Sequence, residues 1–149
     1  MVKPKPSKRS AAHSSNEELV DGLVQAAFVT MAMLNKIGAD HDLSLSQLRM
    51  CGILRDRRAR MAALADYLGL EKSTMTGLVD RAERRGLVAR APSVEDGRAV
   101  DVFLTREGAE RAEQLHAQVQ QSLTPLIGRL DASERRLLQG LLRRMLDSD

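Results

Sequence analysis

The chain has 149 residues, of which 43% are hydrophobic but only 2% aromatic, so we expect an aliphatic core built mainly from helices rather than a β-sandwich. A single cysteine excludes an internal disulfide framework, and no uninterrupted apolar run is long enough for a membrane span or a signal peptide, which predicts a cytoplasmic protein without a membrane partner. The net charge is +3, with surpluses of +4 on residues 1–9 and +3 on residues 55–98, and such positive regions favour an anionic partner.

The N-terminal part of the chain is predicted to be a tail followed by one long helix. Residues 1–14 are rich in lysine, proline and serine, a composition typical of a disordered basic tail. Ser15 and Glu18 stand at the spacing of an N-terminal capping box, and apolar residues then recur at helical spacing to about Ala39. We therefore assign residues 15–44 to a first helix that lies outside the following lobe.

The next segment shows the pattern of a helix-turn-helix motif. A second capping box, at Ser44 and Gln47, predicts the start of a helix. Two further helices are predicted over residues 61–68 and 72–85, because apolar side chains recur at intervals of three and four and each run is followed by a glycine. The second of these helices is rich in hydroxyls and arginines, as expected of a helix that enters a DNA groove.

A β-hairpin is predicted directly after these helices. Residues 87–90 and 99–104 are short and rich in β-formers, and Asp96-Gly97 between them is a turn signal. Residues 45–105 together read as a winged helix-turn-helix lobe for binding DNA. The expected fold class is mostly α with a small β-hairpin wing.

The C-terminal part, residues 106–149, is predicted to form two helices. Thr105 is placed to cap the first, Pro125 should kink, end or restart it, and Asp131 with Glu134 forms a third capping box. The lobe needs little cover, so leucine-rich stripes at both ends of the chain predict pairing with a second copy; packing within one chain is the alternative. The predicted dimerisation residues are Leu19, Leu23, Leu137, Leu138, Leu141, Leu142 and Met145.

The candidate DNA contacts lie on the second helix of the motif and around the hairpin. Arg98 is predicted to enter a minor groove, and Asp96 to brace either Arg98 or Arg90 across the hairpin. Arg58 and Arg60 are predicted to bind phosphates, with a solubilising loop as the alternative. The predicted contacts on the helix are Lys72, Ser73, Thr74, Thr76, Gly77 and Arg81.

The segments LSLSQLRMCGIL, LADYLGLEKSTMTGLVDRAERRGLV and LTREG, with Asp96-Gly97-Arg98, resemble the MarR family of winged-helix regulators over about residues 17–147. The resemblance implies a homodimer held by the N- and C-terminal helices, a palindromic DNA operator, and a small aromatic or phenolic effector bound between the dimer and DNA lobes. Two positions depart from the family pattern. Glu71 stands where a capping serine is usual, so a weaker helix cap is expected, and Gly77 stands where a basic residue is common.

A candidate effector cavity is formed by apolar, adaptable side chains and one cation. We predict that Phe28, Met31, Met50 and Met61 line it, with Arg49 binding an anionic group. Ordinary core packing is the alternative explanation for the methionines.

Other kinds of site have little support in the sequence. Cys51 lies on an apolar stripe and is expected to be a structural thiol, with a redox switch as the alternative. The three histidines, His13, His41 and His116, have no partners at ligand spacing, so we expect no metal site and no cofactor. No nucleophile elbow, phosphate loop or catalytic acid pair is present, so an enzyme is not expected.

The sequence thus predicts a dimeric DNA-binding transcription regulator, more often a repressor than an activator, whose affinity an effector changes by altering the spacing of two recognition helices. Two alternatives remain open at this point. One is a winged-helix module that binds protein rather than DNA, and the other is an architectural binder without sequence preference.

Overall fold

The computed structural model describes residues 8–147, with side chains from residue 15 onward, and shows six helices and three strands in that range. The helices are α1 (Lys8–Asp40), α2 (Leu45–Leu54), α3 (Met61–Leu68), α4 (Lys72–Arg84), α5 (Arg106–Ile127) and α6 (Ala132–Leu146), and the strands are β1 (Ala59–Arg60), β2 (Val88–Pro92) and β3 (Val100–Leu104). The strands form one antiparallel sheet in the order β1-β3-β2. The predicted fold class is confirmed.

The first helix begins earlier than its sequence signal indicated. It starts at Lys8, well before Ser15, so the expectation of a non-helical tail over residues 1–14 is wrong for residues 8–14. Residues 1–7 lie outside the described range. No proline follows Pro6 in this segment, and Lys8, Arg9, Ala11 and Ala12 are good helix formers, so the helix extends back past the predicted cap.

α1 ends in a Schellman-type turn that leads directly into α2. Asp42 adopts the left-handed conformation, with φ 54°, and its amide donates to the carbonyl of Ala39 at 3.2 Å. The amide of Leu43 donates to the carbonyl of Gly38 at 2.8 Å, and a Cβ on Gly38 would lie 2.6 Å from the oxygen of Leu43. α2 then starts after Ser44 with both bonds of the predicted capping box.

The helix-turn-helix motif consists of α3 and α4. α3 ends at Gly69, whose φ of 63° is the left-handed conformation expected of a C-terminal glycine. α4, which we call the recognition helix, follows Glu71, and that side chain makes no capping hydrogen bond. The weak cap predicted from the sequence is therefore confirmed. Gly86, with φ 71°, ends the motif.

The sheet contains one strand that was not predicted. β2 and β3 match the predicted hairpin and, with the loop between them, form the wing, residues 88–104. β1 adds Ala59 opposite Val102 and Arg60 opposite Asp101. Two residues are too few to show the alternating pattern of a strand, so this pairing could not be read from the sequence.

The core lies between the recognition helix, α2, α3 and the sheet. Its fully buried side chains include Met50, Leu64, Met75, Val79 and Val102, one or two from each of these elements. Because interiors are close-packed, this core fixes the orientation of the recognition helix relative to the wing.

α5 starts against the end of the recognition helix. Thr105 caps it as predicted: its Oγ1 accepts from the amide of Gly108 at 2.9 Å and donates to the carbonyl of Gly86 at 2.5 Å. Gly108 is packed so closely that a Cβ there would lie 1.8 Å from the carbonyl oxygen of Leu87. Pro125 lies inside α5 near its end, and α6 begins at the predicted capping box at Asp131.

The two ends of the chain expose apolar side chains. None of residues 132–146 is buried, and the seven predicted dimerisation residues are between 38% and 65% exposed. By length and composition alone, the segment Ser15–Asp40 is also apolar and long enough to cross a membrane, with a mean hydropathy of 1.2. Only 11% of its most apolar stretch is buried. The sequence-based expectation of no such stretch rested on uninterrupted apolar runs. In the structure, the apolar residues are instead spread along one long helix.

Candidate DNA interface and adjoining cavities

The recognition helix has one buried and one exposed face. Met75, Leu78, Val79 and Ala82 pack into the core, which leaves the other side of the helix to solvent. Of the predicted contacts, Gly77 is half-buried, whereas Lys72, Ser73, Thr74, Thr76 and Arg81 are exposed. The sequence pattern therefore placed the outward face correctly, because it follows from the apolar spacing alone.

Two details change what the exposed face offers to DNA. The hydroxyl of Thr76 donates to the carbonyl of Lys72 at 2.9 Å, so its oxygen is left to act as an acceptor. A Cβ on Gly77 would lie 3.4 Å from Nη1 of Arg81. The guanidinium of Arg81 thus lies beside Gly77, which places a cation near that position.

The wing is tied to the recognition helix by Arg90. Its Nη2 lies 2.6 Å from Glu83 Oε2 and 2.7 Å from Asp80 Oδ1. The pKa of Arg90 is raised above its usual value, mainly by the hydrogen bond to Glu83 and secondly by the hydrogen bond to Asp80. The expectation that Asp96 would brace Arg90 is wrong, because two carboxylates on the recognition helix already hold it. Their spacing of three places both on one helix face, which is the signal that could have identified them.

Asp96 instead shapes the tip of the wing. Its Oδ1 accepts from the backbone amide of Arg98 at 3.1 Å, and its carbonyl accepts from the amide of Ala99 at 2.8 Å. The first bond defines an Asx turn and the second a β-turn. Asp96 therefore orients the backbone of Arg98, and the side chain of Arg98 is exposed to solvent.

The two predicted phosphate-binding arginines have different surroundings. The guanidinium carbon of Arg58 lies 3.9 Å from the ring centroid of Phe103 on β3, a cation–π contact that holds the charge beside the wing. Nη2 of Arg60 lies 2.9 Å from Glu95 Oε2 in the wing loop. This ion pair is exposed and therefore weak, about 1 kcal/mol or less, so a phosphate can displace the carboxylate at little cost.

A cleft of about 940 Å³ lies between α3, the start of the recognition helix and the wing. Lys72, Met75 and Thr76 line it on the helix side, and Arg90 and Val100 line it on the wing side. The exposed face of α4 and the wing thus border one common opening.

A second cavity, of about 300 Å³, lies between α1, α2 and α5. Its walls are mainly aliphatic, with Leu34, Leu48, Leu115 and Val119, and Arg49 and His116 supply polar atoms. Gln120 Nε2 donates to His116 Nε2 at 3.0 Å, which leaves Nδ1–H of the neutral imidazole to act as a donor.

The structure does not bring the five predicted effector residues together. Arg49 lines the α1–α2–α5 cavity, but Met50 is fully buried in the core and Met61 lines the cleft at the wing. Phe28 and Met31 are exposed on α1. Methionine content misled the prediction, because the cavity walls are aliphatic side chains of α1, α2 and α5 such as Leu34, Leu48 and Leu115.

Cys51 lines the same cavity but is 1% exposed. Burial raises the pKa of its thiol to about 11, and the charge of Arg85 offsets only part of that effect. This agrees with a structural thiol, since thiolate is the reactive form. Within the part of the chain that the structure describes, no group of three His, Cys, Asp or Glu side chains could hold a metal ion.

Comparison with known proteins gives consistent matches. The sequence profile of the MarR family matches residues 41–99. The HTH-type transcriptional repressor NicR of Pseudomonas putida is 31% identical over 106 residues, 71% of this chain and 67% of the relative. The multiple antibiotic resistance protein MarR of Salmonella typhimurium is 30% identical over 116 residues, 76% of this chain and 81% of the relative.

Solved structures of similar proteins extend the match. A cysteine mutant of MarR from Escherichia coli complexed with operator DNA has a TM-score of 0.66 and 28% identity, covering 88% of this chain and 93% of that chain. NadR in complex with 4-hydroxyphenylacetate shares the fold, with a TM-score of 0.76 and 24% identity over 99% of this chain and 100% of that chain. By sequence and by fold, this chain belongs to the MarR family of winged-helix transcription regulators, which are not enzymes.

Proposed function

We propose that the protein is a homodimeric transcriptional repressor that binds a palindromic operator and releases it when a small aromatic acid binds. The observation that carries the DNA-binding part is the shared opening between the recognition helix and the wing. Hydroxyls and cations at the N-terminal half of α4 suit base edges and phosphates in the major groove, and Arg98 at the wing tip suits a neighbouring minor groove. Such a regulator acts in the cytoplasm, where its DNA is.

The dimer is supported by the exposed apolar faces at the chain ends. α6 has six large apolar side chains between 38% and 75% exposed: Leu137, Leu138, Leu141, Leu142, Met145 and Leu146. α1 adds Leu19, Val20, Leu23 and Val24, each at least 40% exposed. A monomer rarely exposes so much contiguous apolar surface, and a second copy with the same two faces would cover it.

The effector part rests on the α1–α2–α5 cavity. Its volume of about 300 Å³ matches a single-ring ligand, its walls are aliphatic, and its polar atoms are cationic or hydrogen-bond donors at Arg49 and His116. These features suit an aromatic carboxylate. Among proteins of this fold, NadR has been solved in complex with 4-hydroxyphenylacetate, and the DNA binding of BpsR of Bordetella bronchiseptica is regulated by 6-hydroxynicotinic acid.

The DNA-binding part can be tested by competition binding. A labelled duplex from upstream of the gene for this chain is bound at low salt and then challenged with unlabelled specific or random duplex. A repressor keeps the label against random DNA and loses it to the specific competitor. Equal loss to both identifies an architectural binder, and no complex at low salt identifies a module that does not bind DNA; either result contradicts the proposal.

The effector part has a separate test. 4-Hydroxyphenylacetate and 6-hydroxynicotinic acid are titrated into the complex, with cyclohexanecarboxylate as a non-aromatic control acid. Arg49→Gln should need about tenfold more aromatic acid for the same release of DNA, because an ion pair to the carboxylate is lost. Arg129→Gln, also exposed but outside the cavity, is the matched control. Equal release from both variants would remove Arg49 from the effector site.

A further inference from the structure

The C-terminal end of the recognition helix is hydrogen-bonded to the C-terminal end of α1. Arg85, the C-cap residue of α4, donates from Nη1 to the carbonyl of Asp42 and from Nη2 to the carbonyl of His41 at 3.2 Å. These carbonyls lie just past the last turn of α1, where helix carbonyls lack intrahelical partners and the helix dipole favours a cation. Arg85 therefore caps α1 although it belongs to α4.

The side chain of His41 continues the connection to α5. Nη1 of Arg111 lies 3.0 Å from Nδ1, and Oε1 of Gln118 lies 2.7 Å from Nε2. A guanidinium only donates, so Nδ1 is the acceptor and Nε2–H donates to Gln118. We call Arg85, His41, Arg111 and Gln118 the His41 network. It joins α4, the end of α1 and two turns of α5.

The network lies along the wall of the α1–α2–α5 cavity. On α5, Arg111 and Gln118 directly precede Ala112 and Val119, which line that cavity. Cys51 lines it from α2 and lies close enough to Arg85 for the charge to lower the thiol pKa. A ligand that moves α5 relative to α1 would therefore change the bonds at His41, and through its backbone the position of Arg85.

We propose that Arg85 is a positioning residue that sets the orientation of the recognition helix, and that the His41 network transmits movements of α5 at the cavity to that helix. The inference rests on the proposed function, since it assigns a role in DNA binding to residues that do not contact DNA. Arg85 and Arg111 do not bond to each other, and their effects on DNA binding are coupled because both hold His41.

A double-mutant cycle on DNA affinity tests this coupling. Dissociation constants for the upstream duplex and for a random duplex are measured for wild type, Arg85→Ala, Arg111→Ala and the double variant. Arg85→Ala should weaken specific binding by about tenfold and random binding much less, a selectivity change that loss of stability alone would not produce. The double variant should differ from the product of the single effects by at least about threefold.

Two controls complete the experiment. Arg129→Ala removes an exposed arginine just past the end of α5, and its fold-change in affinity should be independent of that of Arg85→Ala, so that the two multiply. Arg85→Lys keeps the charge but not the fork that reaches both carbonyls, so it should lose selectivity as well, and it replaces the alanine variant in the cycle if that variant unfolds. Multiplicative effects of Arg85 and Arg111, or wild-type selectivity in Arg85→Lys, would overturn the proposal. Failure of the wild type to bind either duplex would instead refute the proposed function.

Discussion

Arg90 on the wing and Glu83 on the recognition helix are joined through one carboxylate oxygen, which lies 2.6 Å from Nη2 and 3.1 Å from Nε of the guanidinium. Asp80 adds a second carboxylate at 2.7 Å. The wing and the recognition helix are therefore connected by a charged, partly buried network. A wing held in this way presents its tip at a fixed distance from the recognition helix.

The first prediction follows from this network. Arg90→Gln removes the charge and leaves Asp80 and Glu83 without their common partner, so DNA affinity should fall and unfolding free energy should drop by about 1 kcal/mol, since the network is partly exposed. Urea denaturation and anisotropy titration measure the two effects. Arg106→Gln, which breaks only an exposed pair with Glu110, is the control and should change neither by a measurable amount. An Arg90→Gln variant with unchanged affinity would show that the wing does not need this connection.

The second prediction concerns Arg98. If its guanidinium lies against DNA phosphates or in a minor groove, Arg98→Ala should weaken binding to all sequences alike and reduce the slope of log affinity against log salt by about one unit. Titrations at several salt concentrations give the slope. Arg129→Ala removes the same charge far from the wing and should leave it unchanged. If the salt slope of Arg98→Ala equals that of the wild type, Arg98 does not contact DNA.

The third prediction tests the contact between the start of α5 and Leu87, the residue before β2. Gly108→Ala places a Cβ against the carbonyl of Leu87, so we expect a loss of about 3 kcal/mol in unfolding free energy, at the upper end of overpacking costs. Gly52→Ala is the control, because a Cβ there meets nothing within 4 Å and alanine favours the helix by about 0.5–1 kcal/mol. Equal stability of the two variants would contradict the close packing at Gly108.

The fourth prediction tests the dimer. Leu137 and Leu141 are one turn apart on α6 and are 65% and 43% exposed, so replacing both by aspartate should leave the fold of one chain intact and abolish pairing. Sedimentation velocity reports the mass, and circular dichroism the helix content. Val94→Asp, at a wing residue that is 88% exposed, should remain dimeric. A dimeric Leu137→Asp/Leu141→Asp variant would exclude the α6 face from the interface.

The fifth prediction concerns Cys51. A thiol with a pKa of about 11 stays protonated at neutral pH, so a thiol reagent should react with it only after unfolding. Because the folded pKa lies above the unfolded value of 9.0, the thiol stabilises the fold fully below pH 9, and that contribution is lost as pH rises toward 11. In Cys51→Ala, the unfolding free energy should not show this part of its decrease at alkaline pH. Rapid labelling of the native protein would contradict the structural role and favour a redox switch.

The sequence predicted the elements that depend on local chemistry. Helix ends were found because capping side chains and left-handed glycines act within a few residues, as at Ser44, Gly69 and Asp131. The outward face of the recognition helix was found because apolar spacing defines the buried face at Met75 and Leu78. The start of α1 was missed because good helix formers continue a helix past an available cap.

Features that depend on distant pairing were not predictable. β1 exists only because Ala59 meets Val102. The partner of Arg90 was misassigned because the packing of α4 against β2, which brings Asp80 and Glu83 to Arg90, is a tertiary contact. Arg85 caps α1 from the end of α4, a contact between residues more than forty positions apart. No local pattern contains that information.

The central claim is that two copies of this lobe read one symmetric DNA site, and affinity selection from a random duplex pool tests it most directly. The full chain is bound to the pool, and retained duplexes are sequenced after several rounds. The account predicts enrichment of an inverted repeat whose half-sites lie about one helical turn, or about 10 base pairs, apart, and weaker enrichment with Arg81→Ala. An enriched sequence without two-fold symmetry, or no enrichment over the starting pool, would contradict it.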